Sequence, residues 1–284
     1  TRDVAKAYQA HCRNEKISWN PLPVTYADYA LWQQQLLGDE SNPESLIATQ
    51  LDYWKKTLAN LPEELELPTD YTRPQESSYK GGIVKFSIDS DLHQCLLELA
   101  RENKASLFMV LQAAFAVFLT RLGAGTDLPI GSPIAGRNDD SLEDLVGLFI
   151  NTLVLRMDTS GNPSFRELLE RVRQVNLSAY EHQDLPFERL VEVLNPARSK
   201  SKHPLFQVMF VFQNTPEPKL ELEGLESKLE IQNVGSAKFD LTLELQEHRT
   251  KNGSPDGLTG LFEYSCDLFR HTSVEGFAKR FLLL

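Results

Sequence analysis

Hydrophobic residues recur along the chain with two different periods, which predict helices and strands. Spacings of three and four predict helices over 2–13, the later part of 20–37, 43–58, 91–103, 106–122, 141–149, 164–180 and 187–194, and an apolar helix over 273–284. Alternating or continuous apolar runs predict strands over 83–89, 127–137, 151–158, 205–214, 238–248 and 258–269. Helices therefore come first, and strands dominate the last third.

This order predicts an α+β, or layered α/β, fold in which helices pack on a mixed sheet. The segment 61–82 has three prolines, two glycines and little periodicity, so we expect a linker between 1–60 and 83–284 there. The segment 219–234 is strand-like but acidic.

Local signals refine several elements. Ser164 and Glu167 form a capping box at the head of one helix. The stretch 205–214 is apolar on both faces, which is typical of a central strand. In the last strand we expect the side chains of Phe262, Tyr264 and Cys266 to point inward.

Composition narrows the function. The net charge of −11 over 284 residues argues against a nucleic-acid partner, because no positive field attracts phosphates. No run of 18 apolar residues exists, so we expect no membrane span. The three cysteines lie far apart, which supports neither a zinc site nor a disulfide framework and fits a cytoplasmic protein. Thr1 and the residues after it resemble the middle of a helix, so we expect a fragment of a longer protein.

Self-contained catalytic motifs are absent from the sequence. There is no G-x-S-x-G, no G-x-x-x-x-G-K-[ST] and no H-E-x-x-H. The glycine-rich stretch 123–131 precedes a strand rather than a helix, which does not fit a dinucleotide site. Of the six histidines, we expect His93 to be solvated on a helix and His203 to be exposed in a basic loop.

His182 is better placed, because it lies two residues before Asp184 and close to the rigid Pro186. It can act in acid–base chemistry, or it can cap the end of a helix, where a protonated imidazole suits the dipole. The residues alone favour the structural role.

Arg137 and Arg156 each adjoin an apolar strand, and a buried arginine there needs a carboxylate partner that the nearby sequence does not reveal. Four acidic residues follow Arg137. They suit a helix N-terminus better than a metal site, and we predict no metal. The four are Asp139, Asp140, Glu143 and Asp144.

Four stretches match one family together. They are YADYALW (26–32), VGLFINTLVLR (146–156), HQDLPFE (182–188) and RSKSKHPLFQVMFVFQN (198–214). In order and spacing they resemble the later signature motifs of nonribosomal peptide synthetase condensation domains. The fourth stretch departs from the family form in its Lys and Ser residues, although its HPLFQV still matches the end of the family motif.

The resemblance implies a two-lobed fold like chloramphenicol acetyltransferase, with a tunnel between the lobes. Residues 1–60 would complete the first lobe, 83–284 would form most of the second, and 219–234 would be a latch between them. It also implies amide formation between two thioesters, each on the phosphopantetheine arm of a donor or acceptor peptidyl carrier domain, beside an adenylation domain. No cofactor is expected to bind directly.

The family's catalytic H-H-x-x-x-D-G motif is absent, and we expect it upstream of Thr1. The resemblance makes Arg137 the partner of that motif's Asp, and it places Asn151 and the strand after it along the tunnel. We expect Arg156, His182 and Asp184 to support the tunnel or the motifs. The motif residues expected to be structural are Tyr26, Asp28, Trp32, Gly147, Pro186 and Phe187.

Other assignments stay open at this point. Within the superfamily, the motifs favour a condensation domain over an epimerisation or cyclisation domain. Outside amide synthesis on carriers, the chain could be a non-catalytic platform that recruits another enzyme, or a standalone acyltransferase that uses a soluble thioester.

Overall fold

A computed structural model describes residues 2–137, 139–197, 199–213, 222, 224–227 and 234–284. The helices are α1 Arg2–Cys12, α2 Tyr26–Leu37, α3 Leu46–Thr57, α4 Ser90–Glu102, α5 Leu107–Leu122, α6 Phe165–Glu181, α7 Phe187–Leu194 and α8 His271–Phe281. The strands are β1 Gly81–Ile88, β2 Asp127–Ile134, β3 Asn151–Asp158, β4 Val208–Gln213, β5 Leu241–Arg249 and β6 Pro255–Ser265. Most of the predicted acidic segment 219–234, the expected latch, lies outside the described residues.

The six strands form one mixed sheet in the order β1-β6-β5-β4-β2-β3. Strand β4 pairs in parallel with both β2 and β5, and the remaining pairs are antiparallel. The predicted α+β fold is confirmed, and the run 205–214 does supply the central strand β4. The apolar side chains of β4 favour this central position, because Phe210 is fully buried against Phe108 and Phe115 of α5.

The helices over the sheet start where the sequence caps them. The side chains of Ser106 and Ser164 accept hydrogen bonds from Met109 N and Glu167 N. At the head of α6 the Glu167 carboxylate also accepts from Ser164 N, which completes a capping box. Gly123 ends α5 in the left-handed conformation that glycine adopts at little cost. Helices α4, α6 and α8 contact strands β6, β3 and β1 respectively.

Residues from α3 to Leu67 share the core of the sheet. Leu51 and Trp54 of α3 are buried in the same apolar cluster as the strands. Leu65 and Leu67, from the predicted linker, are buried in it too. Arg73, further along this segment, donates to both oxygens of the buried Asp240. The division into lobes stays a prediction.

The predictions for Cys266, His93 and the segment 141–149 are wrong. Cys266 is exposed, because β6 ends at Ser265 and the alternation of inward residues ends with it. His93 is fully buried, and its Nε2 lies 3.1 Å from Glu247 Oε1. The helix expected over 141–149 is only a 3-10 turn at Asp140–Leu142.

In the described part of the chain, no single helix is long and apolar enough to cross a membrane. The pair α4 and α5 meets the test of length and composition only when taken together, across a bend of 102°.

Candidate functional site

The stretch 182–188, called the joint below, connects α6 to α7. Helix α6 ends at Glu181, and the backbone N–H of the next residue, His182, caps it by donating to Ala179 O. Pro186 has φ −60° and stands at the start of α7, where its carbonyl accepts from Leu190 N at 3.1 Å. Because a proline disfavours helical backbone in the residue before it, the chain leaves α6 and starts α7 within a few residues.

Asn151, the first residue of β3, holds the joint from the sheet side. Its Nδ2 donates to the carbonyl oxygens of Gln183 and Leu185 at 2.9 and 2.8 Å. Its Oδ1 accepts from Phe187 N at 3.0 Å. A single amide therefore pairs three backbone groups that would otherwise lack a partner in this turn.

Gln50 holds the joint from the other side, from α3. Its Nε2 donates to Asp184 Oδ2 at 2.8 Å, and its Oε1 accepts from Leu185 N at 2.7 Å. Only 1% of Gln50 is exposed. Gln50 was not among the residues predicted for the site. The signal that could have found it is a polar side chain at helical spacing between Ile47 and Trp54, inside an apolar stripe.

His182 contributes packing and backbone contacts. Its ring stacks on Tyr53 with centroids 3.8 Å apart, and Nδ1 lies 2.7 Å from Ser178 O. Since a carbonyl only accepts, the proton of the neutral ring is on Nδ1. The His182 carbonyl accepts from Trp54 Nε1 at 2.8 Å. These contacts give His182 a positioning role at the end of α6.

Arg156 has the carboxylate partner that the sequence did not reveal. Its Nε and Nη2 donate to the two carboxylate oxygens of Asp127 at 2.8 and 2.7 Å. Its Nη1 donates to the carbonyl oxygens of Thr57 and Ala59 at the end of α3. The hydrogen bond and the charge of Asp127 raise the pKa of Arg156. Arg156 therefore joins α3 to the strand that also carries Asn151.

Arg137 is exposed, which corrects the expectation of a buried arginine. Its guanidinium lies 4.0 Å from the Phe149 ring centroid and donates to the carbonyl oxygens of Leu142 and Leu145. These carbonyls would accept backbone N–H groups in a helix, so Arg137 stabilises an irregular loop where a helix was predicted. Its expected pairing with an upstream Asp stays a prediction.

The first two signature stretches contact each other. The Tyr26 ring packs directly over Gly147, where an added Cβ would lie 2.2 Å from a ring carbon. The Tyr26 hydroxyl donates to Leu148 O at 2.8 Å, and its ring meets Phe149 edge to face. Asp28 caps α2 with Thr25, whose hydrogen bonds lower the pKa of the carboxyl group. Trp32 is half exposed beside Tyr29.

The third and fourth stretches also contact each other. The Phe187 ring lies 5.7 Å from the rings of both His203 and Phe206. The Phe206 ring covers Gly131 so closely that a Cβ there would lie 2.2 Å from it. His203 is largely buried, which corrects its predicted exposure. Burial, with the charge of Lys238 nearby, lowers its pKa to about 4.

A comparison with protein families identifies the chain. The family model described as "Condensation domain" matches residues 1–284. The chain belongs to the condensation domain family. The predicted resemblance is confirmed, and the four signature stretches are the parts of this condensation domain that form the contacts above.

Curated relatives are much longer than this condensation domain. It is 64% identical over 284 residues to the dimodular nonribosomal peptide synthase of Bacillus subtilis (strain 168), covering all of this chain and 12% of the relative. It is 40% identical over 274 residues to malpinin synthetase of Mortierella alpina, covering 96% of this chain and 3% of the relative. The chain therefore spans a small part of each relative.

Solved structures agree on the fold. The X-domain from teicoplanin biosynthesis superposes with a TM-score of 0.91 at 36% identity, covering 99% of this chain and 63% of that one. The X-domain in its complex with OxyB superposes with a TM-score of 0.89 at 35% identity, covering 99% of this chain and 61% of that one.

Most of the site residues expected from the sequence fall into two groups in the condensation domain, and Asp28, Trp32 and Arg156 belong to neither. Asn151, His182, Asp184, Pro186 and Phe187 meet at the joint. Tyr26, Gly147 and Arg137 meet around the loop 140–149. Among the described residues, no three His, Cys, Asp or Glu side chains form a group that could hold a metal ion.

Proposed function

We propose that this condensation domain forms an amide bond between two carrier-bound thioesters during nonribosomal peptide synthesis. The amine of an aminoacyl acceptor attacks the thioester carbonyl of the donor. The tetrahedral intermediate then expels the donor's phosphopantetheine thiolate, and the proton lost by the amine neutralises that thiolate. The donor and acceptor carrier domains and an adjacent adenylation domain are the proposed partners.

One observation supports this proposal most strongly, namely that the four signature stretches are paired in space. Stretch one packs on stretch two through Tyr26 and Gly147, and stretch three packs on stretch four through Phe187 and Phe206. Stretches two and three are joined by Asn151. A sequence that kept the motifs by chance would have no reason to bring them together in three dimensions.

The histidine chemistry of the family is not available within residues 1–284, because the H-H-x-x-x-D-G motif does not occur there. We therefore propose that these residues alone do not condense substrates. Their role is to position the tunnel wall, and the proton transfer belongs to the expected upstream motif.

The experiment is a condensation assay on the complete domain with carrier-bound donor and acceptor. The expected result is an amide product that is lost when the second histidine of the upstream motif is changed to alanine. Residues 1–284 alone serve as the inactive control. Full product formation by the histidine variant would contradict His-dependent condensation.

A second function is favoured by one comparison. The X-domain, which superposes on this chain with a TM-score of 0.91, is also found in a complex with OxyB. A non-catalytic platform that recruits a partner enzyme is therefore the alternative. An intact domain that forms no amide but retains a partner enzyme stably would favour it.

A further inference from the structure

A cavity of about 530 Å³ lies beside Tyr180, near the end of α6 that leads into the joint. It is bounded by the start of α5, the ends of β2 and β4, the beginning of β3 and the end of α6. Leu153 in its wall is two residues from Asn151 on the same face of β3, and Tyr180 is two residues before His182. Two residues of the cavity wall are therefore sequence neighbours of residues that form or hold the joint.

The walls are mostly apolar. Aromatic and aliphatic side chains, among them Phe108, Leu153, Leu155, Phe212 and Tyr180, line most of the surface. The volume falls within the range of roughly 300–1,000 Å³ that is typical of small-molecule sites. An open cavity of this size, with aromatic and aliphatic side chains in its wall, points to a bound apolar group.

Glu247 brings one charge to the cavity. It is largely buried, its Oε1 accepts from the fully buried His93, and Arg249 forms an ion pair with the same oxygen. The second oxygen is therefore the one that a ligand in the cavity can engage. A carboxylate there repels an acidic ligand, and it accepts a hydrogen bond from a ligand that carries an N–H or O–H group.

We propose that this cavity receives the side chain of an aminoacyl thioester and selects an uncharged aliphatic or aromatic side chain over an acidic one. The inference rests on the proposed function and names the substrate class that the site takes. The side chain can belong to the donor or to the acceptor, and the experiment separates these two sources.

The kinetic test uses the complete synthetase module with soluble N-acetylcysteamine thioesters that carry glycyl, leucyl, phenylalanyl or glutamyl groups. The series is varied first on the acceptor and then on the donor. Ala135→Trp places an indole at the exposed mouth of the cavity. It is expected to raise KM for the leucyl and phenylalanyl thioesters at least ten-fold on one of the two sides, with the glycyl thioester within two-fold.

Two further variants make the kinetic result specific. Ala59→Trp adds the same indole at an exposed position outside the cavity, and it is expected to change no KM in the series. Glu247→Gln keeps an acceptor for His93 but removes the charge, and it is expected to raise kcat/KM for the glutamyl thioester at least five-fold relative to the leucyl one. An unchanged ratio would overturn the role given to Glu247.

A binding measurement separates this inference from the proposed function, because it needs no condensation. Phenylalaninamide has the side chain but no thioester, and its titration into methyl-labelled module is followed at the signals of Leu153 and Leu155. Saturable shifts that vanish in Ala135→Trp, and that glycinamide does not cause, are expected. If a module that forms no amide shows such shifts, the proposal for the cavity stands and the proposed amide synthesis is rejected.

If Ala135→Trp lowers Tm, Phe212→Ala replaces it as the deciding variant. This change widens the cavity, so tighter binding of a larger aromatic amide, naphthylalaninamide, is expected. No shift at Leu153 or Leu155 with any of these amides in wild-type module would overturn the proposal.

Discussion

The side-chain oxygen of Asn151 accepts a hydrogen bond of 3.0 Å from the backbone N–H of Phe187, 36 residues further along the chain. The same amide donates to two carbonyl oxygens of the joint. One side chain on the first residue of a strand therefore determines where α7 begins. The geometry of the whole joint depends on this amide and on the one that faces it from α3.

Asn151→Ala is expected to lower the free energy of unfolding by about 2–4 kcal/mol, since it leaves two carbonyls and one N–H of a partly buried turn unpaired. Urea unfolding of the complete domain measures this. Gln94→Ala, an amide truncation at an exposed position of α4, is the matched control and is expected to cost less than about 0.5 kcal/mol. Equal effects of the two changes would contradict the role of Asn151.

Gln50→Glu is expected to destabilise the domain at pH 7, because it places a buried carboxylate against Asp184 in place of the Gln50 Nε2 donor. Burial and the like charge would raise the pKa of the new carboxyl group. Its folded-state pKa would then exceed its unfolded value, so the loss of stability diminishes as pH falls through the folded pKa. The measurement is the difference in unfolding free energy between variant and wild type from pH 7.5 to 5. A difference independent of pH would show that the introduced carboxyl group does not interact with Asp184.

His203 makes the stability of the wild-type domain depend on pH. The sign is opposite to that expected for Gln50→Glu, because here stability falls as pH falls. Its folded pKa of about 4 lies below the ordinary value of 6.5, so the unfolded chain takes up the proton first as pH falls. The stability is complete above about pH 6.5 and is lost as pH falls towards 4, by up to about 3 kcal/mol.

His203→Asn isolates this contribution, because asparagine is neutral at all these pH values and its amide can replace Nδ1 as a donor to Pro204 O. Unfolding free energies of wild type and variant, measured from pH 7 to pH 4.5, are expected to converge as pH falls. Parallel curves would reject the buried neutral histidine.

Gly147→Ala is expected to cost about 1–3 kcal/mol, since the new methyl group would overlap the Tyr26 ring. Combining it with Tyr26→Ala should cost less than the sum of the single changes, because removing the ring removes the overlap. Thermal unfolding of the four proteins measures this coupling.

Gly276→Ala is the matched control for Gly147→Ala. Position 276 lies inside α8 with no neighbouring atom within 4 Å of an added Cβ, so the same substitution should stabilise the domain by about 0.5–1 kcal/mol. A destabilising Gly276→Ala, or strictly additive effects of Gly147→Ala and Tyr26→Ala, would contradict the described packing.

Sequence patterns predicted the elements better than the contacts between them. Strand β3 falls on the predicted residues 151–158, and the capping box at Ser164 starts α6, because both signals are local. The hydrophobic pattern predicted a helix over 141–149, and the structure has an irregular loop there. Leu142, Leu145 and Phe149 have helical spacing, but they cluster with Tyr29, and Arg137 takes the carbonyls that a helix would use.

The candidate site was predicted only in part, for a physical reason. The motif residues were found by resemblance, but Gln50 lies 134 residues before Asp184, and no periodicity connects them. His93 was expected to be solvated because its neighbours on α4 are polar, whereas its partner Glu247 is 154 residues away. Long-range partners of this kind depend on sheet order, which the sequence pattern did not supply.

The contacts of α3 limit how this condensation domain can be recombined. Gln50, Tyr53 and Trp54 reach the joint from a helix that precedes the predicted linker 61–82, so an exchange made in that linker separates each of them from its partner. A chimaeric domain would then combine one protein's α3 with another protein's joint. Hybrids joined there should retain stability only when residues 50–54 and 182–188 come from the same parent.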